Sequence, residues 1–195
     1  DELAGVRTAT AGYKNLTVAE ADGYALLKDA AGIACIDQPG VGTMGIHYVN
    51  GKLAESGVID AQHPQLVVYE PQADGSMQLV ALEYVAFQEG WDKSHSAPPS
   101  LFGQDFMLTP AGNRYGLPAF YALHIWLYES NPSGMYAMWN PNVSCSAAPS
   151  VEPASSKRRR RAASSGSKLA FSAMNAWRAP TASAPAPPAS AARAT

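Results

Sequence analysis

Cysteine is scarce in this 195-residue chain, which has only two, Cys35 and Cys145. Neither has the close spacing of a metal-binding or redox cysteine pair, so the two predict no metal centre of their own. A bond between them would close a loop of about 110 residues and stabilise the fold by about 4–5 kcal/mol. The alternative is two buried free thiols in a cytosolic protein. We expect the disulfide, because Cys145 lies where the globular-looking sequence stops.

Long apolar runs are also missing. No run reaches the roughly 18 residues that a membrane-spanning helix needs, so we expect no membrane span. The chain begins DELAG, without a methionine or an apolar leader, which predicts the processed form of an exported protein. Together with the expected disulfide, this favours an oxidising compartment, so that the protein would be secreted or periplasmic.

Familiar catalytic motifs are absent too. The chain has no GxSxG sequence of the kind that presents a nucleophilic serine. The glycine-rich stretch GVGTMG lacks the lysine of a phosphate-binding P-loop, which argues against nucleotide binding. The sequence motifs therefore indicate no particular enzyme class.

Basic residues are few in the first 145 positions, where six lysines and arginines stand against fifteen aspartates and glutamates. The resulting net charge of −9 argues against nucleic acid as a partner of this part. From Ser146 onward alanine, serine, proline and arginine dominate. Such a composition cannot bury enough apolar surface to offset the entropy of ordering.

The composition thus predicts one exported globular domain over residues 1–145 and a disordered Ala/Pro/Ser/Arg-rich tail over residues 146–195. The run KRRRR at 157–161 has the charge of a phosphate-binding patch, but a solvated run is the interpretation we favour. Out-of-frame translation of GC-rich DNA would yield a similar tail.

The patterning along residues 1–145 predicts an α+β fold, with N-terminal helices packed on a mainly antiparallel β-sheet, long loops and one disulfide. Helix is expected in two pieces within the first 30 residues, the second starting at a capping box formed by Thr17 and Glu20. Residues 33–46 contain three glycines and a proline, which predicts a loop.

Strands are expected over four stretches rich in β-branched and aromatic residues. They are GIHYV (45–49), QLVVYEP (65–71), MQLVALEYVAF (77–87) and FYALHIWLYE (120–129). The second and third form a predicted hairpin whose turn is made by Asp74-Gly75. Residues 89–119 read as a long loop, and a loop of that length is usually functional or covers something.

Three histidine or carboxylate side chains fall in the middle of these apolar strands, away from the strand ends: His47, Glu83 and His124. Burying such a group without a partner costs several kcal/mol, so each should have one. If the three share a face, they form a two-histidine, one-carboxylate set suited to a divalent first-row metal such as zinc, copper or iron. Further ligands or supporting groups could come from Tyr48, Tyr69 and Glu70.

Two other interpretations stay open. In the first, the two histidines are satisfied core residues and Glu83 faces solvent on a half-exposed sheet, although alternation gives both faces of its strand apolar neighbours. In the second, the protein is a non-catalytic interaction module that contacts another protein or a cell-envelope component through its acidic surface. Aromatic and methionine residues between positions 126 and 139 would then form a contact surface, line an apolar pocket, or simply belong to the core.

Four segments carry a resemblance. They are HYVNGKL (47–53), VYEPQADGSMQLVALEYVAF (68–87), LFGQDF (101–106) and HIWLYESNPSGMYAMWNPNVSC (124–145). In these segments the chain resembles a group of exported bacterial proteins with no assigned activity, over about residues 10–145. The resemblance implies export and a domain boundary before the tail, and it implies nothing about catalysis.

Overall fold

A computed structural model describes residues 2–148 and confirms the α+β class. The expected tail, residues 146–195, lies almost entirely outside the described residues. The helices are α1 (Glu2–Thr10), a 3₁₀ turn (Ala11–Lys14), α2 (Leu16–Ala21), α3 (Gly51–Ser56) and α4 (Gln88–Asp92). The strands are β1 (Tyr24–Leu26), β2 (Cys35–Gln38), β3 (Gly42–Asn50), β4 (Leu66–Pro71), β5 (Met77–Phe87), β6 (Ser100–Leu101), β7 (Gln104–Asp105), β8 (Met107–Thr109) and β9 (Phe120–Ile125).

Seven strands form one antiparallel sheet in the order β1-β3-β4-β5-β9-β8, with β2 pairing beside β1 on the same side of β3. Strands β6 and β7 form a separate small hairpin. The long strands β3 and β5 lie inside the sheet, and this position is consistent with their nearly continuous apolar sequence. None of the helices in the described part of the chain is long and apolar enough to cross a membrane.

The N-terminal helices cover one face of the sheet. Val6 of α1 and Ala19 of α2 are buried in the same core cluster as Tyr69 and Tyr84. The expected capping box is wrong: Asn15 caps α2, and its side chain accepts the backbone N–H of Thr17. Asparagine is as effective at this position as serine or threonine, so the helix simply begins two residues earlier.

The glycine-rich segment 33–46 is not a loop, contrary to expectation, because β2 and the first half of β3 occupy much of it. These glycines allow neighbouring segments of the backbone to approach each other closely, and they do not make the segment flexible. At Gly45, with φ +108°, a Cβ atom would lie 2.6 Å from the backbone oxygen of Tyr69. Glycine is required where a neighbouring backbone comes this near.

The β4–β5 hairpin is confirmed. Gly75 takes a positive φ of 86°, and the carboxylate of Asp74 accepts the N–H of Ser76 to close the turn. The connection 89–119 is less irregular than expected, since it contains α4 and the short strands β6, β7 and β8. The last strand ends at Ile125, after which Trp126 donates its backbone N–H to Met135 in the following irregular segment.

The Cys35–Cys145 disulfide is present, with the two Cα atoms 5.8 Å apart. It joins β2 to the end of the irregular segment that follows β9. The same segment is held to β3 by paired backbone hydrogen bonds between Asn140 and Thr43. Residues 126–145 are therefore anchored to β2 by the disulfide and to the first half of β3 by hydrogen bonds.

Candidate metal site

Three strands carry the three buried ionisable residues. His47 lies in β3, Glu83 in β5 and His124 in β9, and their exposed fractions are only 2%, 7% and 6%. Glu83 and His124 are direct partners across the β5–β9 ladder, which places both side chains on one face. This is the face opposite the N-terminal helices, where two apolar clusters that include Leu66 and Val68 surround them. The interpretation in which Glu83 faces solvent is wrong.

The sheet curls at this point. Strands β3 and β9 are three positions apart, so in a flat sheet His47 and His124 would start about 14 Å from each other. Their Nε2 atoms are nevertheless 3.4 Å apart. Such a short contact requires this face to be concave.

Two irregularities in strand pairing accompany the curl. The β2–β3 register skips Met44, and the β4–β5 register skips Val80. An extra residue of this kind bends its strand, strengthens the local twist and re-aims a side chain. At Met44 the effect is visible, because this side chain lines a cavity on the same face as Glu83.

The contacts within the site are all slightly too long for strong hydrogen bonds. Glu83 Oε2 lies 3.5 Å from His47 Nε2, and Glu83 Oε1 lies 3.6 Å from His124 Nδ1. Good hydrogen bonds to nitrogen have heavy-atom separations of about 2.7–3.2 Å. One ring nitrogen from each histidine and one carboxylate oxygen all lie within 4.8 Å of one another, and together they could hold a metal ion.

Burial controls the charge of the three groups. It raises the pKa of Glu83 to about 8 and lowers the pKa of His124 to about 4. The pKa of His47 falls to about 3, chiefly because of burial, with additional repulsion from positive charge on His124 and Arg114. Near neutral pH the metal-free protein therefore contains two neutral imidazoles and a largely protonated carboxyl group.

One polar atom of the site has no partner. Among the described residues, Nδ1 of His47 is the buried side-chain nitrogen or oxygen that makes no hydrogen bond. A buried polar atom in this state costs about 1–3 kcal/mol. The strands thus hold an imidazole in a position that hydrogen bonding alone does not stabilise.

A cavity of about 420 Å³ opens onto two of the three residues, Glu83 and His124. Its volume lies within the range of small-molecule sites. The apolar lining residues are Met44, Met107, Tyr115, Phe120, Ala122, Leu123, Tyr136, Met138 and Trp139. His47 is not among the lining residues, so the cavity approaches the site from the His124 side.

Most of this lining was not predicted as part of a site. Tyr136, Met138 and Trp139 belong to the aromatic and methionine cluster whose role the sequence left open, and the structure places them in the cavity wall. Residues between 104 and 115 come from the connection expected to be functional or covering, where irregular sequence offered no periodic signal for individual positions.

Arg114 is the one basic residue of the cavity lining. Its Nε and Nη2 both donate to Oδ2 of Asp29, at 3.3 and 2.9 Å. Asp29 is 5% exposed, and its other oxygen accepts the backbone N–H groups of Ala31 and Ile33. Asp29 therefore fixes the orientation of the guanidinium, while the Arg114 side chain remains 38% exposed.

The three additional ligand candidates do not reach the group formed by His47, Glu83 and His124. Tyr48 and Tyr69 are packed edge to face on the sheet face that the helices cover, and Tyr69 donates its hydroxyl to the backbone oxygen of Tyr13. Glu70 accepts the backbone N–H of Ser144. Tyr48 is adjacent to His47 in sequence, and alternation along a strand turns neighbouring side chains to opposite faces.

The remaining two histidines lie outside the site. His63 is exposed and pairs with Asp60, and His95 is exposed and stacks on Trp91. Of the four histidines, only the two in strands are buried.

Comparisons with protein-family models, with curated proteins and with solved structures found no match to this chain. The functional argument therefore depends on the geometry of the site, which brings together two histidines and a glutamate that could hold a metal ion beside a largely apolar cavity.

Proposed function

We propose that the protein is an exported metal-binding protein, in which His47, Glu83 and His124 bind one divalent first-row metal ion. The observation that carries the proposal is the spacing of the ligand atoms. Four tetrahedral bonds of about 2.0–2.1 Å place neighbouring ligand atoms about 3.3–3.4 Å apart. The two separations from His47 Nε2, 3.4 Å to His124 and 3.5 Å to Glu83, are close to this value.

The donor set supports zinc first. Two histidines and one glutamate are a common ligand set of catalytic zinc sites, and iron(II) accepts the same combination. Three protein ligands leave at least one coordination position for water or a small ligand. The cavity beside Glu83 and His124 provides access on that side. A bound ion with an open position would supply Lewis-acid chemistry.

Charge also supports a cation at this position. Two neutral imidazoles next to one carboxyl group offer lone pairs, but without a cation the carboxylate cannot ionise cheaply, as its raised pKa shows. A divalent ion would stabilise the ionised form of Glu83 and remove the burial penalty. The site is thus better matched to a cation than to its own internal hydrogen bonds.

Export is the second half of the proposal. A disulfide that closes most of the described chain is typical of proteins that mature in an oxidising compartment. Fractionation of cells that make the protein from its natural gene should place it outside the cytoplasm, and a cytoplasmic protein with reduced cysteines would contradict this half.

The metal proposal is tested by elemental analysis of the full chain, purified without a histidine tag and incubated separately with zinc, iron(II) and copper(II). We expect about one ion per chain. The double variant His47→Gln/His124→Gln should bind none while it keeps the wild-type circular dichroism spectrum. A matched control, His63→Ala/His95→Ala, removes the two exposed histidines and should bind as much metal as the wild type.

Wild-type protein that remains metal-free with all three ions would overturn the metal proposal. So would a folded His47→Gln/His124→Gln variant that still binds metal stoichiometrically.

A further inference from the structure

We infer that the cavity beside the metal site binds a small apolar molecule with one carboxylate, and that Arg114 contacts this carboxylate. The inference rests on the proposed metal site and adds the class of its ligand. Its starting point is the position of Arg114, which lines the same cavity as Glu83 and His124.

Asp29 holds the Arg114 guanidinium in one orientation and leaves its Nη1 group available as a donor. Its two hydrogen bonds to Asp29 use Nε and Nη2, so among the described residues no hydrogen bond occupies Nη1. Asp29 is itself anchored by two backbone N–H groups, which leaves Arg114 little freedom to turn away. A guanidinium fixed in this way is pre-organised for a second anion.

The charged groups at one end of the cavity and directly behind it favour a ligand with a single negative charge. With a divalent ion bound, the ion, Glu83, Arg114 and Asp29 together leave one uncompensated positive charge. Partly buried charge of this kind is costly unless it is paired. Asp105, the remaining charged residue of the lining, is exposed, and water screens its charge. One carboxylate from a ligand would neutralise this remaining positive charge.

The walls determine what the rest of the ligand is. Methionine, tyrosine, phenylalanine and tryptophan side chains dominate them, and methionine adapts its shape to different apolar groups. The volume of about 420 Å³ suits a molecule the size of an aryl or medium-chain carboxylic acid. The cavity thus combines one anion contact with an apolar enclosure.

The test is calorimetric titration of the full chain, metal-free and zinc-loaded, with straight-chain and aryl monocarboxylates from acetate to decanoate and phenylacetate. The corresponding neutral amides serve as the matched probes. We expect at least one apolar carboxylate to bind zinc-loaded protein at least tenfold more tightly than its amide. Acetate, which has almost no apolar body, should bind much more weakly.

The variant Arg114→Gln should lose this preference for the carboxylate while it binds as much zinc as the wild type. Because this change leaves Asp29 without its cation, the double variant Asp29→Asn/Arg114→Gln provides a second version with no unpaired buried charge. It should show the same loss.

Three results would overturn the inference while metal binding remains intact: no carboxylate binds, amides bind as tightly as acids, or the preference survives in both Arg114 variants. The last result would identify the metal ion alone as the anion contact. Failure of the metal proposal would be recognised separately, as absence of zinc from the wild-type protein.

Discussion

At the scale of single residues, the site depends on the protonation state of Glu83. Histidines that burial keeps neutral are ready to donate lone pairs at any pH above about 5, because their pKa values are about 3 and 4. Glu83 is not ready, since its pKa is about 8 and a proton occupies the carboxyl group below that value. Metal binding must therefore release this proton.

Metal affinity should consequently increase with pH. Between pH 6 and 7.5 we expect about a tenfold increase in affinity for zinc per pH unit, because one proton competes with the ion; above about pH 8 the increase should level off. Titration in buffers of different ionisation enthalpy should show about one proton released per ion at pH 6.5.

The variant Glu83→Gln is the control for this dependence. It lacks the titrating group, so its weaker zinc binding should be nearly independent of pH over the same range. A wild-type affinity that does not change between pH 6 and 7.5 would show that Glu83 is already ionised in the metal-free protein, contrary to the effect of its burial.

The residues of the site were predictable because ionisable side chains are unexpected inside apolar strands. His47, Glu83 and His124 could be identified on this ground alone. Arg114 could not, since arginine in irregular sequence is ordinary. Its importance arises from Asp29, which is 85 positions away in the chain and adjacent only in the fold.

At the scale of elements, alternation and turn chemistry were sufficient for β4, β5 and their hairpin. They failed for β2 and the start of β3, because glycines there satisfy tertiary contacts that no local pattern reveals. A Cβ at Gly42 would lie 2.8 Å from a backbone atom of Asn140, almost 100 residues later in the chain. Local sequence rules therefore interpret these residues as flexible.

Gly45 allows a test of this explanation. Gly45→Ala should lower the free energy of unfolding by about 3 kcal/mol or more, because strain at positive φ adds to the clash with the Tyr69 backbone. Urea unfolding with the disulfide intact measures the loss. Zinc binding should weaken as well, since β3 must shift where it carries His47.

The matched control is Gly40→Ala. Gly40 also has a positive φ, +78°, but nothing lies within 4 Å of its added Cβ. It should cost only the backbone strain, about 1 kcal/mol. Equal losses at the two positions would mean that the close approach of β3 to β4 contributes nothing.

At the scale of the whole molecule, the disulfide ties the segment that supplies part of the cavity wall to strand β2. Cys35 lies in β2, which pairs with β3. Cys145 ends the segment that supplies Tyr136, Met138 and Trp139 to the cavity wall. Hydrogen bonds of Asn140 and Asn142 hold the same segment. The covalent bond should therefore affect the unfolded chain more than the folded one.

Replacing both cysteines, Cys35→Ser/Cys145→Ser, should lower the free energy of unfolding by about 4–5 kcal/mol, as expected for release of a loop this long. The midpoint of urea denaturation measures the difference. Below its midpoint the variant should still bind zinc. A loss under about 1 kcal/mol would mean that the unfolded wild-type chain is already compact.

The arrangement of Trp126 next to His124 has a practical consequence. Trp126 is 3% exposed, and its ring lies nearly parallel to the His124 imidazole with 6.3 Å between the centroids. Its Nε1–H donates a hydrogen bond to the backbone oxygen of Ala137. An indole so close to an imidazole of the proposed metal site would act as a natural fluorophore for that site. Copper(II) and iron(II), with unpaired electrons, would quench its emission, whereas closed-shell zinc would only shift it. The chain would thus report, without any label, which kind of ion the proposed site holds.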